Sequence, residues 1–315
     1  MAYIEKPVFP EGLKTYALRK RKSKVNFRSF AKVFKSGDSF ARFLNSLPDI
    51  LAAKDFKELL SLMRTARSRH KAIVFALGAH VIKVGLNPIL IDLMKEGWIQ
   101  GLAVNGAAII HDFEIAFSGQ TSEDVEIQIK EGKFGMARET GEMLLEAINQ
   151  GAEKGIGLGE AVGRMIARSN FAHRNISLLA QANRLKVPVT VHVAIGTDTI
   201  HFHPQVKGEA LGKTSLKDFF LFASLLRKLE GGGVFVNVGS AVILPEVFLK
   251  AVSFLRNQGI LQENFSTAVF DFIRHYRPYE NVTRRPLGKK GRGFYFIGHH
   301  EIMIPLLAAS LKALK

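Results

Sequence analysis

The segment from Lys71 to Val125, KAIVFALGAHVIKVGLNPILIDLMKEGWIQGLAVNGAAIIHDFEIAFSGQTSEDV, constrains the fold more than any other. AIVFAL is a short apolar run closed by Gly78. Asn87-Pro88 then opens a segment with Ile89, Leu90, Leu93 and Met94 at helical spacing, which Gly97 ends. GLAVNG is a second apolar run, and Ile109, Ile110, Phe113, Ile115 and Phe117 follow it on a second helical segment. Two buried strands joined by a helical crossover pair in parallel with a right-handed connection, because a link of this length cannot be a hairpin. Ligands of such sheets lie beyond the carboxyl ends of the strands. That rule places Gly78, Ala79, His80, Asn105 and Gly106 at the expected site.

The same alternation continues to the end of the chain. Residues 39–47 and 55–67 carry Phe40, Phe43, Leu44, Phe56, Leu59, Leu60 and Met63 at helical spacing and are predicted to cover the sheet. Residues 121–135 are a polar, acidic connection expected to lie over the site. Helices are predicted over 137–154, 158–167 and 176–185, with VPVTVHVAIG as the third strand. GIGLGEAVG follows a helix instead of a strand, so its glycines are read as close packing points and not as a dinucleotide fingerprint. A helix capped by Thr214 or Ser215 runs to Leu229, VFVNV is a fourth strand, and a helix starts near Pro245. At the Gly239-Ser240 turn, backbone amides and the following helix could cradle a phosphate, or form a plain strand-to-helix turn. Residues 265–272 and GFYFIG complete the strands, and His299-His300-Glu301 opens a last helix. The fold class is α/β, a three-layer, mostly parallel, doubly wound Rossmann-like sheet.

Gly196 to Pro204 is a second informative stretch, with Asp198, His201 and His203 beyond a strand end. An extended segment would let both histidines ligate a metal with Asp198. Local hydrogen bonding of the two rings is the other reading, and no metal site is assigned.

At 315 residues and 47% hydrophobic content the chain builds one main domain, taken as residues 38–315, behind a basic arm over residues 1–37. No apolar window of about 18 residues occurs and the amino terminus lacks signal-peptide order, so a cytoplasmic protein with no membrane partner is expected. The absence of cysteine excludes disulfides, thiolate metal sites and cysteine nucleophiles. Two basic runs, one within Lys14 to Arg28 and one from Arg284 to Arg292, account for part of the +16 charge. Both are read as a solvated arm and loop, and nucleic acid is not expected, because no aromatic-interleaved motif accompanies them.

The Gly-rich turn after the first strand, the GLNP helix start and the NGA turn followed by HDFE together resemble deoxyhypusine synthase and its prokaryotic relatives, in an order that spans roughly Phe27 to Leu311. The resemblance implies NAD as cofactor and a transferase scheme. Hydride leaves a polyamine carbon, a lysine traps the imine, and an aminobutyl group passes to an acceptor amine. It implies that Asp198 meets the amine substrate, that Thr267-Ala268 matches the family's Thr-Ala, and that Arg277, Pro278 and Glu280 match its active-site loop. The family's catalytic lysine position falls near Arg284 and Pro286, with Lys289 and Lys290 close by, which makes Lys289 the candidate beside Glu280 and Asp198. Cofactor contacts are expected from Gly78, His80, Lys83, Asn105, Gly106, Gly239, Ser240, Thr267 and His299. The family also implies a homotetramer, a dimer of dimers.

His80 and Lys83 replace small polar residues of the family's first loop, Pro245-Glu246 replaces a His pair, and Val193 stands where the family has an acid. By charge matching these changes disfavour a polyamine and favour an anionic ligand. The expected function is therefore an NAD-dependent transferase of the deoxyhypusine or homospermidine synthase type, acting on an amine or amino acid and not a true deoxyhypusine synthase. The alternatives are a catalytically degenerate nucleotide- or partner-binding protein of the same fold, and a metal hydrolase using Asp198, His201, His203 or His111.

Overall fold

A computed structural model describes residues 5–261 and 264–313. The first four residues of the expected arm and the last two of the expected domain lie outside the described residues. Helices α1 (Phe40–Ser46) and α2 (Leu51–Ser68) precede strand β1 (Ile73–Leu77). A short α3 (His80–Lys83) and α4 (Asn87–Lys95) lead to β2 (Gly101–Asn105), α5 (Gly106–Ser118), α6 (Val125–Lys130), α7 (Arg138–Glu153), α8 (Leu158–Arg168) and α9 (Leu178–Arg184). After β3 (Val189–His192) come α10 (Gly208–Leu226), β4 (Gly233–Val238), α11 (Ile243–Asn257) and β5 (Phe265–Asp271). The described chain ends with α12 (Tyr276–Thr283), β6 (Gly293–Ile297) and α13 (His300–Ala313).

All six strands among the described residues are parallel, in the order β3-β2-β1-β4-β5-β6. The chain winds outward from β1 through β2 to β3, then returns to the other side of β1 and winds outward again. The order therefore reverses between β1 and β4, the position at which parallel sheets of this kind place their ligands. Alternation along each strand assigns the faces. Ile73, Phe75 and Leu77 of β1 join one core with α2, α4, α5, α7, α8, α9 and α13, whereas Val74 and Ala76 join the other with α10 and α11. Parallel strands covered on both faces are apolar on both faces, which explains the continuous runs in the sequence.

Local chemistry sets the boundaries. Pro88 sits in the first turn of α4, and Ser39 caps α1 by accepting from the Arg42 amide at 3.3 Å. Asp218, fully buried on α10, accepts from the amides of Gly159 (2.9 Å) and Val191 (2.8 Å) and so ties α8 to β3. Gly157 and Gly159 of GIGLGE lie at this junction, where a Cβ on Gly159 would stand 2.2 Å from the Val189 carbonyl oxygen, as the packing reading requires, whereas Gly155 meets nothing within 4 Å.

Four expectations change. The acidic connection at 121–135 contains the helix α6, capped by Asp124. Thr214 and Ser215 do not cap α10 but lie inside it, with Thr214 Oγ1 bonded to the Ala210 carbonyl and Ser215 Oγ to that of Val191. The apolar run that signals the helix begins at Phe219, whereas its first turns, Gly208 to Lys213, carry two glycines and two charges and give no such pattern. Residues 276–283, expected as an active-site loop, form α12, whose Pro278 falls in the first turn where proline is tolerated. The stretch after Asp198 is not extended, because Thr199–Phe202 turn as a 3-10 helix.

Candidate functional site

The carboxyl ends of β1 and β4 meet directly. A Cβ on Gly78 would stand 2.0 Å from the Gly239 carbonyl oxygen, and the Gly78 amide donates to Val238 at 2.8 Å. The Gly239 amide donates to the Phe270 carbonyl at 3.0 Å, and Ser240 Oγ accepts from the Leu244 amide at 3.2 Å. These groups close the crevice with their own hydrogen bonds. The short helix α3 follows Gly78 and separates two clusters, with His80 facing one and Lys83 lining the other.

The first cluster lies over the ends of β1, β5 and β6. His80 packs edge-on to Phe272 at 5.0 Å, and Phe272 lies 4.4 Å from the ring of His300 and 5.3 Å from that of His299. His300 is buried on Gly239, with Nε2 at 3.3 Å from the Phe270 carbonyl and Nδ1 without a partner among the described residues. Burial is the main cause that lowers the pKa of His300, and the nearby Asp271 carboxylate opposes it.

The second cluster is a cavity of about 190 Å³ beyond the ends of β2 and β3. Lys83, His111, Glu114, Glu123, Thr140 and Asp198 converge on it. Ser122, Glu123, Phe134 and Gly135 close it from above, so the 121–135 connection does lie over a cavity. Glu114 accepts from Thr121 Oγ1 at 2.5 Å and Thr140 Oγ1 at 3.2 Å, and Glu123 accepts from the Gly135 amide at 2.8 Å. His111 Nδ1 stands 2.7 Å from Thr121 Oγ1. Burial, helped by the Lys83 charge, lowers the His111 pKa to about 4, so this ring is neutral at pH 7.

Asp198 reaches the start of α5. A Cβ on Gly106 would stand 1.9 Å from Asp198 Oδ2, an oxygen that is buried and has no hydrogen-bond partner among the described residues. Burial raises the Asp198 pKa to about 6, and the Ala107 amide partly offsets the rise. His201 Nδ1 accepts from the amides of Gly196 (3.1 Å) and Asp198 (3.3 Å), so the neutral ring carries its proton on Nε2, at 3.7 Å from Asp198 Oδ2. Burial lowers the pKa of His201. The pair is a buried acid and a neutral imidazole, a combination that can hold or move a proton. His203 turns away and its Nε2 lies 2.8 Å from the Gly135 carbonyl oxygen. Among the described residues no group of three or more His, Asp or Glu side chains could hold a metal ion.

The structure thus brings together Asp198, Gly106, Asn105 and Lys83 in one region, and Gly78, His80, Gly239, Ser240 and His299 in another. Three candidates fall elsewhere. Thr267 is fully buried inside β5, with Oγ1 donating to the Val282 carbonyl at 2.8 Å, because its strand continues past it to Asp271. Lys289 precedes β6, so in a parallel sheet it lies at the amino edge, opposite Asp198. Glu280 stays on α12 in ion pairs with Arg284 (2.8 Å) and Arg285 (3.8 Å). Glu123 and Thr140 were missed in sequence, since only the fold brings the 121–135 connection against α7; His111 and Glu114 carried a signal, an acid three residues after a histidine on one helix face.

The residues expected to hold NAD do not form one phosphate cradle. The Gly239 amide is committed to Phe270, and the first turn of α5 already faces a carboxylate, which repels phosphate.

No protein-family model matches the chain. No curated protein matches it either. Among solved structures, a protein from Entamoeba histolytica provisionally assigned as a deoxyhypusine synthase superposes with TM-score 0.55 at 12% identity, over 90% of this chain and 96% of that one. AgrE in a ternary complex with ornithine and NAD+ gives TM-score 0.51 at 16% identity, over 82% of this chain and 33% of AgrE. ArgZ, an arginine dihydrolase from the ornithine-ammonia cycle in cyanobacteria, gives 0.50 at 15% identity, over 84% of this chain and 34% of ArgZ. The chain spans about a third of the length of AgrE and ArgZ. At these identities the likeness is one of fold, and the fold resembles that of deoxyhypusine synthase-like proteins. No described helix is long and apolar enough to cross a membrane.

Proposed function

We propose that this chain is a deoxyhypusine synthase-like protein that binds a small amino acid or related amine in the cavity beside Asp198. The observation that carries the reading is that Asp198, whose buried Oδ2 has no hydrogen-bond partner among the described residues, lines a cavity that Lys83 also lines. Three carboxyl groups, one ammonium and a neutral His111 line this space, so it favours a ligand with more positive than negative charge. Asp198 and Glu123 take an ammonium group, and Lys83 takes a carboxylate. The volume of about 190 Å³ lies below the usual range of about 300–1,000 Å³ for drug-sized ligands, and suits a molecule the size of an amino acid. The sequence departures favoured an anionic ligand, and the acids of α5 and the 121–135 connection reverse that balance.

NAD is the second component to test, since the AgrE neighbour is crystallised with ornithine and NAD+. The committed amides at Gly78 and Gly239 weigh against a dinucleotide, and with Lys289 at the far edge no lysine is assigned to imine formation. A binding protein with altered or lost transferase chemistry is therefore favoured over an active NAD-dependent transferase. Calorimetric titration with ornithine, arginine and putrescine, each with and without NAD, tests the choice. Amino-acid binding that Asp198→Asn abolishes supports the reading. Tight NAD binding without amino-acid binding favours the dehydrogenating enzyme instead.

A further inference from the structure

A parallel sheet gathers every segment that leads into a strand at one edge, and in this chain four of those six segments, the ones into β1, β3, β4 and β6, carry cations among the described residues. Arg69 and Lys71 lead into β1, and Arg227 and Lys228 lead into β4 beside it. On the flanks, Lys186 leads into β3 and Lys289, Lys290 and Arg292 lead into β6. Lys71 is tied to the Glu230 carbonyl at 3.0 Å and Arg292 to Glu58 at 3.0 Å, but the other six cations have no carboxylate partner among the described residues. Two adjoining hollows of about 590 and 620 Å³ indent the middle of this edge and share Arg67 and His70. Arg67 is fixed there, stacked 4.2 Å over Trp98 with its guanidinium donating to the Glu96 carbonyl at 2.6 Å.

We propose that this amino edge binds the phosphate backbone of a single nucleic-acid strand, on the side of the sheet opposite the Asp198 cavity. Six strands at about 4.8 Å spacing set a row about 24 Å long, enough for several successive phosphates of one strand. Strongly basic clefts raise the local concentration of polyanions and bind them mainly through released counterions. Among the described residues of these leading segments Ile260, ahead of β5, is the single exposed large apolar side chain, which disfavours a membrane or an apolar protein face. The sequence shows these cations as scattered single residues and one run, and only the topology aligns them.

The test is a fluorescence anisotropy titration of the full chain with labelled single-stranded RNA and DNA, each longer than a site of about 16 nucleotides. Affinity should fall steeply with salt. The triple variant Arg69→Glu, Arg227→Glu, Lys228→Glu should weaken binding at least about tenfold and reduce the slope of log K against log salt by about 2. Lys289→Glu with Lys290→Glu, on an exposed loop, should weaken it in the same direction and serves if the triple variant melts early. Replacing Lys20, Arg21 and Lys22 of the arm by alanine should leave most of the affinity. The proposal fails if neither strand binds, if the arm variant and not the edge variants loses binding, or if polyglutamate displaces the strand as readily as unlabelled nucleic acid, which would mark an acidic protein partner.

Discussion

The carboxylate of Asp198 rests on the bare Cα of Gly106, so close that a Cβ there would stand 1.9 Å from Oδ2. Gly106 begins α5, and the positive end of that helix is thereby faced by the chain's own acid. Alanine elsewhere in a helix stabilises by up to about 1 kcal/mol relative to glycine. Here it must push the carboxylate away, and overpacking of this kind costs about 1–3 kcal/mol. Gly106→Ala is therefore expected to lower the midpoint of urea unfolding and to weaken amino-acid binding together. A raised midpoint would show that the two groups are not in contact.

Asp218 makes folding depend on pH. Burial raises its pKa from 3.8 to about 7, against the pull of the Gly159 and Val191 amides. Between these values the folded chain keeps a proton that the unfolded chain has released, so the contribution is full at low pH and is lost as pH rises towards 7. The shift corresponds to a loss on the order of 4 kcal/mol across that interval. The depressed His192 and His111 give the opposite slope, but they do so in wild type and variant alike. Asp218→Asn should thus be clearly less stable than wild type at pH 5, and the gap should narrow or reverse at pH 8. A gap that stays constant across the series of unfolding curves would overturn this assignment.

What the sequence made legible was the part governed by local pattern. AIVFAL, GLAVNG and VFVNV read as buried strands because both faces are covered, and Pro88 and Gly97 bracket α4 by their backbone geometry. Asp198 was found because it follows a strand end. The edge on which a loop residue lies is a property of topology, and Lys289 shows the consequence. It is a candidate because it lies close to the position near Arg284 and Pro286 at which the resemblance implies a catalytic lysine, yet the run from α12 to β6 carries it to the far end of the sheet. Lys289→Ala should accordingly leave amino-acid affinity unchanged within about twofold, a change of about 0.4 kcal/mol. A loss of tenfold or more in the same titration would place this lysine at the ligand.

Phe235 of β4 and Phe248 of α11 stack face to face at 3.8 Å with an interplanar angle of 1°, and both are fully buried. The contact anchors α11, and with it the Gly239-Ser240 turn, to the second face of the sheet. Phe248→Ala should cost about 3–5 kcal/mol, because burial is lost and a cavity remains. Phe248→Leu should cost less, as the larger side chain refills part of the space. Equal costs in urea unfolding would mean that the ring contributes nothing beyond its first carbons.

Ligand affinity itself should report the state of Asp198. Its pKa of about 6 leaves the carboxylate ionised at pH 7.5 and largely protonated at pH 5. An ammonium group gains from the ionised form alone, so affinity for ornithine should fall as pH drops through about 6, approaching tenfold per unit below that point. Binding raises the preference for the ionised carboxylate, and the apparent pKa of the complex should therefore lie lower than that of the free protein. Asp198→Asn removes the titrating group and should give weak, flat binding over the same range, whereas Glu123→Gln should weaken binding and keep the inflection. The neutral His111, with its pKa near 4, does not change charge above pH 5 and cannot produce the step. An inflection that survives in Asp198→Asn would assign the titration to another group and would remove Asp198 from the amine-binding role.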